Sequence, residues 1–207
     1  LLWGVTVGNL IQGTPIDATM TYVGSFWDLL SPYTILCGIA FILVFTYHGG
    51  LFTAIKTAGE VAERARAASL VGGVFTAIGA ILLAVATAIF TDMFHSTLAI
   101  VFYVVAVVCF LVSWFAARTR NTKTGFLFSS LTVIMITAAY FAGLFPRIMV
   151  SSLNPAWSLT IDNASSSPYT LALMTVVALV FVPIVLIYKI WTYYTFRNRV
   201  SEQDLHY

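Results

Sequence analysis

Charged residues fall in clusters and leave long apolar runs between them. No Asp, Glu, Lys or Arg occurs at residues 29–55, 67–91, 95–117, 124–146 or 163–188. Each run meets the roughly 20 residues that a helix needs to cross a hydrocarbon core, so each predicts a transmembrane helix. The alternating runs of about ten residues that mark a membrane barrel are absent. The opening stretch LLWGVTVGNLIQG predicts the end of a sixth span. The expected fold is an all-α membrane protein: a polytopic helix bundle of five complete transmembrane helices plus the end of a sixth. The chain opens inside an apolar run, with neither Met nor a basic n-region, which predicts a truncated protein, not a signal peptide.

Composition agrees. Hydrophobic residues make up 60% of the 207 and charged residues 9%, with a mean hydropathy of +0.94. A soluble domain carries about 25% charged residues. A lipid-embedded chain results, and no nucleic-acid partner is expected. The net charge of +2 matters less than its placement. Lys56, Arg64, Arg66, Arg118, Arg120, Lys123, Arg197 and Arg199 fall on one side; only Arg147, with Asp17, Asp28, Asp92 and Asp162, falls on the other. The basic side is predicted to be cytoplasmic, and the C-terminus with it. Trp27, Tyr33, Trp157 and Tyr169 mark one boundary; Trp114, Trp191, Tyr193 and Tyr194 mark the other.

One opening is written twice. Ser31-Pro32-Tyr33-Thr34 and Ser167-Pro168-Tyr169-Thr170 are each followed, at the same distance, by Leu-Val-Phe: Leu43 to Phe45 and Leu179 to Phe181. Each Ser can cap its helix, with Pro at the first helical position, where a missing N–H costs nothing. Convergence on a good helix start would explain this. A duplicated four-helix unit explains the shared crossing direction as well, and predicts a parallel repeat about an axis along the membrane normal. Residues 1–66 would then end a first, incomplete unit with its cytoplasmic loop. Residues 67–207 would form a second unit with a cytoplasmic tail, and at least two helices would precede Leu1.

Candidate chemistry is sparse. Ionisable groups within spans are the first functional candidates. His48, near the inner end of its span, could ligate a haem or relay a proton; a hydrogen-bonded histidine at a helix contact beside Gly49 and Gly50 is the plainer reading. His95 lies in an outer turn and His206 in the tail. No histidine pair, and no His with Cys or Met one turn away, forms a metal site. Cys37 and Cys109 read as small buried hydrophobes. Lys189 can snorkel to the headgroups. Pro183 interrupts the last span, but no mid-depth carboxylate accompanies it, as an ion-coupled substrate site would need. No catalytic, cofactor-binding or metal-ligating residue is expected.

Two features concern packing. Ala68, Gly72, Thr76, Ala80, Ala84 and Ala88 recur at intervals of four and predict a ridge that lets another backbone approach. The segment LFPRIMVSSLNPAWSLTIDNASSSPYT predicts a long outer loop that caps the helix ends. Within it Asn154-Pro155 is a turn signal, Trp157 suits the interface, and Arg147 could pair with Asp162 or with a partner's carboxylate. Asn163-Ala164-Ser165 matches a glycosylation sequon.

The run LFPRIMVSSLNPAWSLTIDNASSSPYTL, the adjoining VALVFVPIVLIYKIWTYYTFR, and HGGLFTAIKTAGEVAERAR from His48 to Arg66 resemble subunit II of cytochrome bd-type quinol oxidases. The resemblance covers almost the whole chain. It implies a bacterial plasma-membrane complex that oxidises a quinol and reduces oxygen to water, building a proton-motive force without a pump. It implies eight helices in two four-helix units. It also implies that the haems, b and d, are held by subunit I, leaving subunit II a haem-free structural partner, with small single-helix subunits as possible companions. A transporter subunit and a non-redox membrane scaffold are the alternatives the residues themselves leave open.

Overall fold

The computed structural model describes residues 1–198; Arg199 and His206 lie outside the described residues. Six helices succeed one another: α1 (Leu2–Gln12), α2 (Pro32–Lys56), α3 (Gly59–Phe90), α4 (Thr97–Arg118), α5 (Thr122–Leu144) and α6 (Pro168–Thr195). All but α1 are long and apolar enough to cross a membrane. The loop between α5 and α6 adds a small antiparallel hairpin, β1 (Arg147–Met149) with β2 (Leu159–Thr160), pairing Arg147 with Thr160 and Met149 with Leu159. Hydropathy gave no sign of these strands.

Helix starts are set locally. The Ser31 and Ser167 hydroxyls accept from the amides of Thr34 and Thr170, each with Pro at the first helical position. Ser96 and Asn121 cap α4 and α5 in the same way. Between α2 and α3 only Thr57 and Ala58 intervene, so the two helices must return antiparallel. Gly59, at φ +63°, makes the reversal that a side chain would strain.

Packing then runs through small residues and hydroxyls. A Cβ at Gly4 would lie 2.6 Å from the Cys37 carbonyl oxygen, and one at Gly73 2.6 Å from the Trp114 ring. Close approach at these points lets α1 meet α2, and α3 meet α2 and α4, as lipid-embedded helices require. Interhelical hydrogen bonds tie the same surfaces. Tyr47 Oη and Ser113 Oγ lie 2.7 Å apart, and Ser113 donates to the Gly125 carbonyl at 2.6 Å. Tyr33 Oη shares a hydrogen bond with Thr87 Oγ1 at 3.1 Å. Two apolar clusters fill the remaining space. One gathers Ile11, Met93 and Ala139 towards the α3–α4 turn, the other Tyr47, Leu51 and Ala117 towards the basic end. Helix α6 takes no part in either cluster, and none of its residues is buried.

At the end away from the basic residues the two long loops are stitched together. Thr14 donates its amide to the Val150 carbonyl at 3.0 Å and accepts from the Ser152 amide at 2.9 Å. The Ser151 hydroxyl donates to the Ile16 carbonyl at 2.7 Å.

Candidate functional site

The residues of the α3 ridge lie in different surroundings. Thr76 is buried and donates to the Leu43 carbonyl at 3.1 Å, so it packs on α2. Ala80 and Ala84 are half-buried and line two apolar cavities that share Val44, Thr76, Tyr103 and Ile136. The first, about 170 Å³, lies towards α1 and α2. The second, about 290 Å³, lies between α3 and α4, with Val44 of α2 and Thr132 and Ile136 of α5 also lining it. Gly72 faces open space, and Ala68 and Ala88 are exposed. The buried face of α3 is Ser69, Gly73, Thr76, Gly79 and Thr87.

In the loop between α5 and α6 Arg147 pairs with Asp92, at 2.9 and 2.7 Å, and not with Asp162. The β1–β2 hairpin holds Arg147 over the turn between α3 and α4, while Asp162 stays exposed beyond β2. The hydrogen bonds from Arg147 hold the Asp92 carboxyl below its ordinary value. Asn154 accepts from the Ala156 amide at 3.0 Å and so shapes the short turn at Pro155–Trp157. Trp157 is half-buried. Asn163 accepts from the Thr160 amide at 2.7 Å and donates to the Ser158 carbonyl at 3.1 Å; Ser165 donates to the Ile161 carbonyl. The Asn154, Asn163 and Ser165 side chains organise their own loop. No bond in this set joins Arg147 to the Asn163–Ser165 end.

Sequence reasoning missed the hydroxyl partners. His48 Nδ1 lies 2.8 Å from Ser129 Oγ on α5, and its ring stacks on Phe126 with centroids 4.6 Å apart. The Ser129 hydroxyl is spent on the Phe126 carbonyl, so the histidine Nδ1–H is the donor. The signal was visible only as isolated Ser and Thr within apolar runs, which states a need for a partner without naming it.

Among the described residues no three His, Cys, Asp or Glu side chains converge in a group able to hold a metal. The fit to a haem is also poor on geometry. The cavity beside His48 measures about 10 Å³, far too small for a macrocycle, and neither larger cavity has a histidine in its wall.

Apolar spans, hydroxyl ties between helices and a basic rim at one end define a polytopic helical membrane protein. The profile of the family described as cytochrome bd terminal oxidase subunit II matches residues 1–196, and the chain belongs to that family. It is 39% identical over 97% of its length to cytochrome bd ubiquinol oxidase subunit 2 of Bacillus subtilis. It is 33% identical over 93% to a probable cytochrome oxidase subunit 2 of Haemophilus influenzae, and 29% identical over 99% to cytochrome bd-I ubiquinol oxidase subunit 2 of Escherichia coli. The chain spans 60% of the Bacillus and Haemophilus proteins and 63% of the Escherichia coli protein.

Proposed function

We infer that the protein is the haem-free subunit of a bd-type quinol oxidase in a bacterial plasma membrane. The match to the subunit II family over residues 1–196 carries this reading. The names of the Bacillus and Escherichia coli relatives supply the quinol. On this reading haem b and haem d sit in subunit I. Quinol gives up its protons on the outer side while oxygen reduction takes protons from the inside, so charge separates without a pump. This chain contributes apolar surface and keeps water from the haems of its neighbour. The basic ends of α2, α4 and α6 face the cytoplasm, as does the C-terminus. Two four-helix units, the first ending in α2 and the second opening with α3, belong to the same reading, as do small single-helix companions. Gly72, half-buried but with open space where a side chain would go, and exposed Ala88 are positions for a neighbour's helix, and the loop carrying Arg147, Asn154, Trp157, Asn163 and Ser165 is an outer lid.

The test is a reduced-minus-oxidised visible spectrum of the full-length protein purified by its own tag under conditions that preserve complexes. Haem b and haem d bands that co-purify with it support the reading. A preparation with no haem bands, from cells whose membranes contain them, overturns it in favour of a transporter subunit or a scaffold without a redox partner.

A further inference from the structure

Helices α3 and α4 are consecutive and joined by a short turn at residues 91–96, yet they touch far less than α2 does α3 or α4 does α5. Two hydrogen bonds bracket the gap. Trp114 Nε1 donates to the Leu70 carbonyl at 3.1 Å near the basic end, and Tyr103 Oη donates to the Ala80 carbonyl at 3.2 Å further out. Between and beyond these ties lies the cavity of about 290 Å³, with Ala77, Ala80 and Ala84 on one wall, Val107, Phe110 and Leu111 on the other, and Val44 of α2 with Thr132 and Ile136 of α5 also in its lining. The small alanines create the volume. The rim is open to the bilayer: Ile81 is 64% exposed and Leu111 56%. Water has no reason to enter, since it needs two to four polar partners and the walls are almost wholly apolar.

The basic end of the same slot carries an uncommitted cation. Arg118, the last residue of α4, lies 5.5 Å over the Trp114 ring. Its neighbours are engaged: Arg66 holds Glu63 at 2.8 Å, and Arg120 approaches the same carboxylate at 3.9 Å. Arg118 forms no ion pair among the described residues. Lys123 comes on the next turn, at the start of α5. From Arg118 to Leu111 is seven residues, or about 10 Å along the helix. An acyl chain anchored by its headgroup at Arg118 therefore reaches the slot.

We propose that the α3–α4 slot binds one anionic phospholipid, with an acyl chain between Ala80, Ala84 and Leu111 and its phosphate at Arg118. Any membrane lipid could supply the tail. The guanidinium, backed by Lys123, selects a headgroup with net negative charge, such as phosphatidylglycerol from the leaflet on the basic side. The site requires only a bilayer, so it stands or falls separately from the oxidase reading.

The experiment uses the full-length protein in its native complex, delipidated in detergent and placed in nanodiscs of phosphatidylcholine doped with phosphatidylglycerol. Each lipid in turn carries a photoreactive group mid-chain, and peptide mass spectrometry locates the label. The expected result is labelling at residues 77–85 and 107–111, with phosphatidylglycerol favoured about fivefold, the effect of roughly one basic residue near the surface. Arg118→Gln should bring the two lipids to parity while tail labelling persists. Ala84→Leu should remove labelling from the slot. Because Ala84→Leu is a core change that could prevent folding, exposed Arg118→Gln decides the headgroup claim alone. Equal labelling by both lipids in the unaltered protein overturns the proposal. So does an unlabelled slot, whether filled by a neighbouring helix or by a quinone tail recovered in its place.

Discussion

Helices α2 and α6 open with the same four residues and meet opposite fates. Aligned on their capping serines, Tyr33 matches Tyr169, Gly38 matches Met174 and Tyr47 matches Pro183. Tyr33 is 3% exposed and bonded to Thr87; Tyr169 is 78% exposed. Gly38 receives α1 within van der Waals reach, while Met174 in α6 is exposed. The shared opening sets where each helix starts and nothing more. The residues beyond the cap decide packing: α2 places Gly38, Ala40, Gly50 and Ala54 where neighbours need room, and α6 fills most corresponding turns with Leu, Met, Val and Ile. Small residues admit protein, whereas bulky ones on every face suit lipid or a ridged surface.

Substitution at the matched positions tests that contrast. Tyr47→Ala should destabilise the full-length protein by about 3–5 kcal/mol, the range for emptying a buried aromatic site. Pro183→Ala on α6 should be neutral or stabilising, because it restores an amide donor for the Leu179 carbonyl. Thermal melts in detergent compare the two, and an equal loss would break the comparison. Gly38→Met, which writes the α6 residue into α2, should cost about 1–3 kcal/mol by overpacking against α1. Met174→Gly should act only through helix propensity, about 1 kcal/mol or less. The caps are where the copies should agree: Ser31→Ala and Ser167→Ala should each cost about 1 kcal/mol. The Ser31 variant should lose slightly more, since its hydroxyl also donates to Gln12 at 2.6 Å.

The smallest effect concerns the loop that leads into α6. Asp92→Asn should cost about 0.2–1 kcal/mol, as for a partly exposed pair. The native Asp92 carboxyl is depressed by Arg147. The pair therefore contributes fully above the ordinary carboxyl value of about 4 and fades as pH falls through the lowered one. The melting difference between native and variant should be constant from pH 8 to 5 and shrink below that; a difference that grows on acidification would contradict the pairing.

The gaps between charges located the spans because exclusion of charge from hydrocarbon is a one-dimensional rule. Residues 29–55 and 124–146 became α2 and α5 almost unchanged. The predicted span at 67–91 fell short of α3 at one end, since Glu60 with Arg64 and Glu63 with Arg66 continue the helix into water. The small-residue ridge spreads over several faces of α3 for a geometric reason. Steps of four advance about 400° where a helical turn is 360°, so the stripe drifts by about 40° each time. From Ala68 to Ala88 it swings by about 200° and passes from one face to the opposite one, crossing the α2 contact at Thr76 and the slot at Ala80 and Ala84. The ion pair of Arg147 with Asp92, and the bond of His48 to Ser129, join residues far apart in the chain. Sequence spacing carries no information on such pairs.

The length of α3 has one more consequence. Its 32 residues extend about 48 Å, against a hydrocarbon core of about 30 Å. The surplus carries Glu60, Glu63 and Arg64, all exposed, so the first turns of α3 stand clear of the lipid as a rigid post. A fluorophore or affinity handle fixed at Glu60 would report from open water on the attitude of a helix whose other end is sunk in the bilayer.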